Sequence, residues 1–155
     1  MLRKGLVCLA AIAAAANPAA SAAKLNDESR EGIRKLLQLV APSGDEVGET
    51  RFGELAAGQI VSIPFEGDRT AEYYMNVICD DDCVNVDLAV LDASGVEIDT
   101  DDADDNAPVL NIQADEYRSV LDKPKGIPRP MTIEVRMKEC NADTCGYGLR
   151  ITQMD

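Results

Sequence analysis

The amino-acid sequence predicts an antiparallel β-sandwich of about eight strands, preceded by one short amphipathic helix. From residue 50 onward, apolar and polar residues alternate with a period of two, which places one face of each strand in a core and the other in water. Gly, Asp or Pro residues separate these runs, and no helical pattern lies between them. Strands that follow one another without helices are typical of antiparallel sandwiches and not of parallel sheets.

The predicted helix lies near the N-terminus. Four apolar residues share one helical face at the spacing i, i+3, i+4 and i+7: Ile33, Leu36, Leu37 and Val40. Asn26 or Asp27 is a suitable N-cap, and the Ala-Pro-Ser-Gly segment at 41–44 ends the helix. We expect the helix to pack on the side or end of the main domain, with docking to a partner protein as the alternative. Residues 43–50 are rich in Gly and acidic residues and are predicted to form a linker.

Four runs carry the clearest strand alternation. Their predicted inward-facing residues are Val61, Ile63 and Phe65; Tyr73, Met75 and Val77; Val84, Val86, Leu88 and Val90; and Met131, Ile133, Val135 and Met137. Shorter runs at 50–55, 96–99, 108–113 and 146–153 bring the total to about eight strands.

The N-terminal segment has the pattern of a secretory signal peptide. Arg3 and Lys4 precede an apolar run over residues 6–16, and the A-x-A element at 20–22 places the cleavage before Ala23. This apolar run is too short to span a bilayer as a helix. We therefore expect a periplasmic or secreted protein with no membrane span in its mature form.

Three segments follow from these patterns. Residues 1–22 are the predicted signal peptide, 23–49 hold the helix and linker, and 50–155 form the β-sandwich domain.

Composition excludes several classes of function. The chain has 15 Lys and Arg residues against 28 Asp and Glu residues, a net charge of -13, so it is unsuited to nucleic acids or anionic membranes. It contains no His, which excludes Ser-His-Asp and Cys-His nucleophile systems. Paired carboxylates can hydrolyse glycosides without His, but only 4% of the residues are aromatic, which leaves little surface for sugar stacking. We expect no catalytic residues.

Four cysteines lie beyond the predicted signal peptide: Cys79, Cys83, Cys140 and Cys145. An even count in an exported chain favours disulfide bonds. Each pair brackets a short turn between two strand patterns, and a tight hairpin there would bring its Cα atoms within bonding range. We predict the local pairs Cys79–Cys83 and Cys140–Cys145. The alternatives are cross-pairing between the two turns, a four-thiolate zinc site, and a redox-active dithiol, although neither pair has the C-x-x-C spacing.

A stretch between Arg69 and Arg118 contains no Lys or Arg and holds half of the 28 acidic residues. Within it, several carboxylates on one loop can supply the hard oxygen ligands that calcium takes. The EF-hand spacing is absent, because Ala107 stands at the position of the turn Gly and Gln113 at that of the bidentate Glu. We therefore predict an irregular calcium site of modest affinity, with a solvated loop as the alternative. The candidate metal ligands are Asp99, Asp101, Asp102, Asp104 and Asp105.

A pattern of turns and strands is carried by five segments: 52–59 (FGELAAGQ), 79–83 (CDDDC), 86–95 (VDLAVLDASG), 104–108 (DDNAP) and 140–149 (CNADTCGYGL). Together they resemble a bacterial pre-peptidase C-terminal domain over about residues 50–153. The resemblance implies a jelly-roll-like β-sandwich that acts as a non-catalytic targeting, binding or maturation module. Such modules are usually appended to exported enzymes, and some relatives bind calcium or polymeric substrates.

The chain departs from that family in two ways. It has no protease domain beside the sandwich, and a Pro-rich basic segment at 122–130 replaces the usual short Gly-Thr-Tyr turn. This segment is either a variable surface connection or a semi-rigid recognition loop. We therefore expect a stand-alone accessory domain that binds an unknown exported protein or polymer. The alternative is a structural or envelope protein–protein interaction module that needs no metal.

Overall fold

The computed structural model describes residues 25–68, 71–112 and 129–154. The predicted signal peptide and most of the Pro-rich segment lie outside the described residues. Helix α1 comprises Asp27–Val40. The strands are β1 (Asp45–Glu46), β2 (Arg51–Leu55), β3 (Ile60–Gly67), β4 (Glu72–Cys79), β5 (Cys83–Leu91), β6 (Glu97–Asp101), β7 (Val109–Ile112), β8 (Arg129–Cys140) and β9 (Cys145–Met154).

The strands form two antiparallel sheets, which confirms the predicted β-sandwich. In the first sheet the order is β2-β9-β4-β7, with β1 also pairing with β9, and in the second it is β3-β8-β5-β6. This is the strand order of a jelly roll, in which most connections cross from one sheet to the other. Each crossing loop therefore lies at an end of the sandwich, where it brings side chains from both sheets together.

The core lies between the two sheets. Inward-facing residues of β4, β5, β8 and β9 are almost completely buried there: Met75, Val77, Leu88, Val90, Ile133, Val135 and Leu149. The period-two pattern predicted nearly all of them. Val61 was also predicted to face inward, but it is only partly buried against the core.

The predicted inward position of Val84 is wrong. Its side chain is 40% exposed, whereas Cys83 and Val86 both face the core. The register of β5 against β8 shifts between Cys83 and Val86, which is the mark of a β-bulge. The extra residue breaks the alternation and turns Val84 outward.

Helix α1 begins and ends as predicted. The Asn26 side chain accepts a hydrogen bond from the Ser29 backbone N–H at 2.9 Å, and the backbone N–H of Ala41 donates to the Leu37 carbonyl. The helix lies on the outer face of the first sheet, against β9 and β4. Ile33 and Leu37 are buried there in a small second core completed by Leu25, Ile78 and the ring of Phe52.

Two glycines of β9 allow the helix to lie this close to the sheet. A Cβ atom at Gly148 would lie 2.6 Å from a methyl carbon of Ile33 and 3.0 Å from one of Leu37. A Cβ atom at Gly146 would overlap the side chain of Leu25. The Gly-Tyr-Gly sequence of β9 therefore creates the shallow surface that receives α1.

The predicted linker is partly ordered against the sandwich. Within it, β1 pairs with the end of β9, Asp45 opposite Gln153 and Glu46 opposite Thr152. These contacts hold the chain between α1 and β2 along the sheet edge. Among the described residues, no helix has the length and apolarity needed to cross a membrane.

Candidate functional site

Two disulfide bonds lie at the same end of the sandwich. Cys79 pairs with Cys83 and Cys140 with Cys145, with Cα atoms 5.9 and 5.8 Å apart. The local pairing agrees with the sequence-based prediction, but the expected hairpins are wrong. In each case the two strands belong to different sheets, so each bond links the first sheet to the second. Because Cys83 lies opposite Cys140 across β5 and β8, the two links are neighbours.

The loop between Cys79 and Cys83 consists of three aspartates, and its backbone is held on both sides. The backbone N–H of Asp80 donates to the Gly146 carbonyl at 3.0 Å, and the Gly146 N–H donates to Asp80 Oδ2 at 2.6 Å. The Asn141 N–H donates to the Asp82 carbonyl at 2.8 Å. The two crossing loops are therefore joined into one corner, from which the side chains of Asp81 and Asp82 extend into solvent.

This corner forms one wall of a groove, and helix α1 forms the other. The groove has a volume of about 380 Å³. We call it the acidic groove; its lining residues are Glu28, Ser29, Gly32, Ile33 and Leu36 of α1 and Cys79, Asp80, Asp81 and Asp82 of the corner. Four of these residues are acidic and none is basic, while Gly32, Ile33 and Leu36 make the helix wall partly apolar.

An apolar stripe continues from the groove along the helix. The sequence pattern assigned Leu36 and Val40 to the buried face, but their side chains are 48% and 47% exposed. Leu39, three residues after Leu36, is 80% exposed. Residues three and four apart are neighbours on a helix surface, so these three side chains form one solvent-facing stripe. Only Ile33 and Leu37 of the predicted face are buried against the sheet.

Asp80 lines the groove with a partly buried carboxylate. Its Oδ1 atom is buried and has no hydrogen-bond donor among the described residues, whereas Oδ2 accepts the bond from Gly146. Burial raises the pKa of Asp80 above its ordinary value; the Gly146 hydrogen bond opposes this rise, and the neighbouring carboxylate of Asp82 adds to it. The Asp82 backbone N–H also lies near this carboxylate and lowers its pKa, whereas no basic side chain lines the groove beside it.

The five predicted calcium ligands lie on and after β6, and none of them lines the acidic groove. Two of the carboxylates accept hydrogen bonds from the backbone of the same loop: Asp101 accepts from the N–H groups of Ala103 and Val109, and Asp105 from that of Ala107. Asp104 accepts from the side-chain amide of Asn85 at 3.0 Å. Asp99 accepts from the Thr100 N–H at 2.9 Å, and Asp102 is exposed.

These carboxylates do not converge on a common point in the described conformation. No group of three or more acidic or cysteine side chains within residues 25–68, 71–112 and 129–154 is arranged to hold a metal ion. Calcium binding would therefore require the loop to rearrange so that carboxylate oxygens converge on one point. The calcium site thus stays a prediction from the sequence.

The sequence analysis identified the helix and the loop that line the acidic groove, but it did not predict that they lie beside each other. The aspartate triplet and the helix were both recognised, yet no sequence pattern shows that a loop between two sheets will face the flank of α1. The available signal was Leu39, an apolar residue outside the predicted helical face.

Comparison with known proteins adds no identification. The chain matches no protein-family model, and no curated protein matches it either.

Proposed function

We propose that this protein is an exported, non-catalytic binding module whose acidic groove holds a cationic, amphipathic segment of another exported protein. The observation that carries the proposal is a groove lined by four acidic residues and no basic one, beside the exposed side chains of Leu36 and Leu39. A lysine or arginine side chain would form charge-assisted hydrogen bonds with the exposed carboxylates of Asp81 and Asp82. An apolar neighbour on the same segment would cover Leu36 and Leu39.

The charge and shape of the groove favour a protein segment over an anionic polymer. Glu28, Asp81 and Asp82 repel polyanions and attract cations. The exposed leucines need an apolar side chain, which a peptide provides next to its basic residues. The partner is therefore a segment in which lysine or arginine flanks an apolar residue.

Export and the absence of catalysis are part of the same proposal. Two disulfide bonds are compatible with an oxidising compartment, as the predicted signal peptide requires. The four bonded cysteines offer no thiolate nucleophile, and the chain has no histidine to act as a base. The resemblance to pre-peptidase C-terminal domains agrees with an accessory role.

The proposal is tested by measuring the affinity of a short lysine–leucine peptide for the oxidised protein by calorimetry. We expect saturable binding that weakens with salt, because exposed charges contribute to it. Leu36→Ser removes an exposed apolar contact without disturbing the core, and we expect about tenfold weaker binding from it. Asp81→Asn should also weaken binding and reduce its salt dependence.

Matched variants elsewhere on the surface serve as controls. Val96→Ser removes an apolar side chain that is 57% exposed, and Asp102→Asn removes an exposed acid; neither residue lines the groove. Both should bind the peptide like the original protein. Equal binding of a glutamate–leucine peptide, or unchanged affinity in Leu36→Ser, would contradict the proposal.

A further inference from the structure

On the side of α1 that faces away from the acidic groove lies a second cleft, which is rich in arginine. It lies between the helix and the segment from β1 to β2 and has a volume of about 460 Å³. We call it the arginine cleft; its lining residues are Arg30, Arg34 and Gln38 of α1, Glu46, Gly48, Glu49, Thr50 and Phe52, and Arg150 of β9. Three arginines thus meet at one place in a chain whose net charge is -13.

The ring of Phe52 fixes two of these arginines. The guanidinium carbons of Arg30 and Arg34 each lie 5.3 Å from the centre of the ring. Cation–π contacts of this kind hold a guanidinium in place without using its N–H donors. Arg34 also pairs with Glu31 at 2.9 Å on the exposed surface of the helix.

The third arginine reaches the cleft from the sheet. The Arg150 side chain is only 16% exposed, and its Nη1 atom lies 3.7 Å from Glu46 Oε2, an ion pair too long for a hydrogen bond. Glu46 is instead engaged through Oε1, which accepts a 2.6 Å bond from the Thr50 hydroxyl. Glu46 therefore compensates Arg150 only in part.

Two N–H groups of the arginine side chains in the cleft have no hydrogen-bond acceptor among the described residues. The Nε atoms of Arg30 and Arg150 are buried and have no hydrogen-bond partner among the described residues. Leaving a buried donor without an acceptor costs free energy, more so when the group is charged. An anion in the cleft would offset the charge of these guanidinium groups, of which Arg34 is paired with Glu31 and Arg150 only partly with Glu46.

We infer that the arginine cleft binds an oxyanion, a single carboxylate or phosphate group, held by Arg30, Arg34 and Arg150. Planar guanidinium groups present pairs of N–H donors that match the oxygens of either group. Glu46 and Glu49 at the margin disfavour a polyanion, so the ligand carries one such group and not a run of them.

The inference is tested by NMR on the Nε–Hε signals of the arginines in the oxidised, isotope-labelled protein. Inorganic phosphate and acetate are titrated separately, with chloride at equal ionic strength. We expect saturable shifts of the Arg30 and Arg150 signals with phosphate, acetate or both, and the response to each anion distinguishes the phosphate from the carboxylate. Equal, unsaturable shifts in chloride would overturn the inference, because they would indicate screening alone.

Three variants make the result specific. Arg150→Lys keeps the charge but removes the planar fork, and we expect about tenfold weaker anion binding from it. Phe52→Leu keeps all charges but removes the ring that fixes Arg30 and Arg34, and it should weaken binding as well. Arg51→Gln removes an exposed arginine that does not line the cleft, and it should leave the anion affinity within about twofold. Unchanged affinity in Arg150→Lys and Phe52→Leu would refute the site.

Discussion

At the scale of single residues, Asp80 connects the fold to the acidic groove. One of its oxygens accepts the Gly146 N–H and so joins the two crossing loops, and the residue also lines the acidic groove. Because burial raises its pKa, the folded protein holds this proton at pH values where the unfolded chain has released it. Asp80 is thus a point at which pH acts on stability and, under the proposed function, on peptide binding as well.

Asp80→Asn should change the pH dependence of stability. A raised pKa in the folded state means that the contribution of Asp80 is most favourable below its unfolded pKa and is lost as pH rises through the folded value. Asn keeps an acceptor for the Gly146 N–H but has no charge. The free energy of unfolding of the variant, relative to that of the original protein, should therefore increase over this pH interval and stay constant above it.

Urea unfolding of both proteins from about pH 3 to about pH 7 measures this difference. A difference that is independent of pH, or that falls as pH rises, would contradict the assignment of the buried carboxylate. The contribution of Asp80 to stability falls as pH rises. The affinity for the lysine–leucine peptide should instead increase with pH, because ionised Asp80 attracts the lysine.

Gly148→Ala should weaken the packing of α1 against β9 and lower the stability of the protein. Its new methyl group would lie 2.6 Å from Ile33, so α1 must shift or overpack, and we expect a loss of about 1–3 kcal/mol in unfolding free energy. Gly32→Ala is the control, because no atom lies within 4 Å of its Cβ position and alanine favours the helix. Denaturant unfolding should show it to be more stable by about 0.5–1 kcal/mol. A Gly148→Ala protein as stable as the original would show that the close approach of α1 to β9 is not required.

At the scale of elements, α1 has three surfaces with separate roles. Ile33 and Leu37 hold it to the sheet, Leu36 and Leu39 extend the acidic groove, and Arg34 borders the arginine cleft. The sequence predicted the helix and its ends, because capping and termination depend on neighbouring residues. It misassigned Leu36 and Val40, because the width of the buried face depends on how closely the helix lies on the sheet, which Gly146 and Gly148 decide.

In the strands, too, the sequence predicted what depends on each strand alone and missed what depends on contacts between elements. Alternation predicted the core positions of β4 and β8, since burial of one face acts on each strand separately. It failed at Val84, where a bulge in β5 changes the face. The cysteine pairs were predictable from their proximity along the chain, but the crossing between sheets was not. For that reason the position of the aspartate triplet beside α1 could not be derived.

The loop after β6 carries the calcium prediction. Thermal unfolding in EDTA, in calcium and in magnesium tests it, since a ligand that binds only the folded state raises its stability. If the prediction holds, calcium alone raises the melting temperature by several degrees, and Asp101→Asn and Asp104→Asn remove that rise. Equal melting temperatures in calcium and magnesium would contradict it and leave a loop closed by its own hydrogen bonds.

At the scale of the whole molecule, the two disulfide bonds hold the sheets together at the end that carries the acidic groove. Cys79→Ala with Cys83→Ala opens a short loop and should cost about 2 kcal/mol of stability by chain entropy. It should also weaken lysine–leucine peptide binding, because the backbone of Asp81 and Asp82 loses its anchor. Cys140→Ala with Cys145→Ala should cost a similar stability, since its loop has a similar length, but it should affect binding less.

Unfolding and calorimetry on the two double variants separate these effects. Equal loss of peptide affinity in both would contradict the special position of the Cys79–Cys83 loop.

The most direct test of the acidic groove is to locate the bound lysine–leucine peptide by amide chemical shifts. We expect the largest saturable changes at Gly32, Leu36, Asp81 and Asp82, on both walls of the groove. The loop from Asp101 to Asp105, equally acidic but without an apolar stripe, should change little. Changes spread over every acidic segment, or centred on that loop, would show that the peptide follows charge alone and would contradict the assignment of the groove as a binding site.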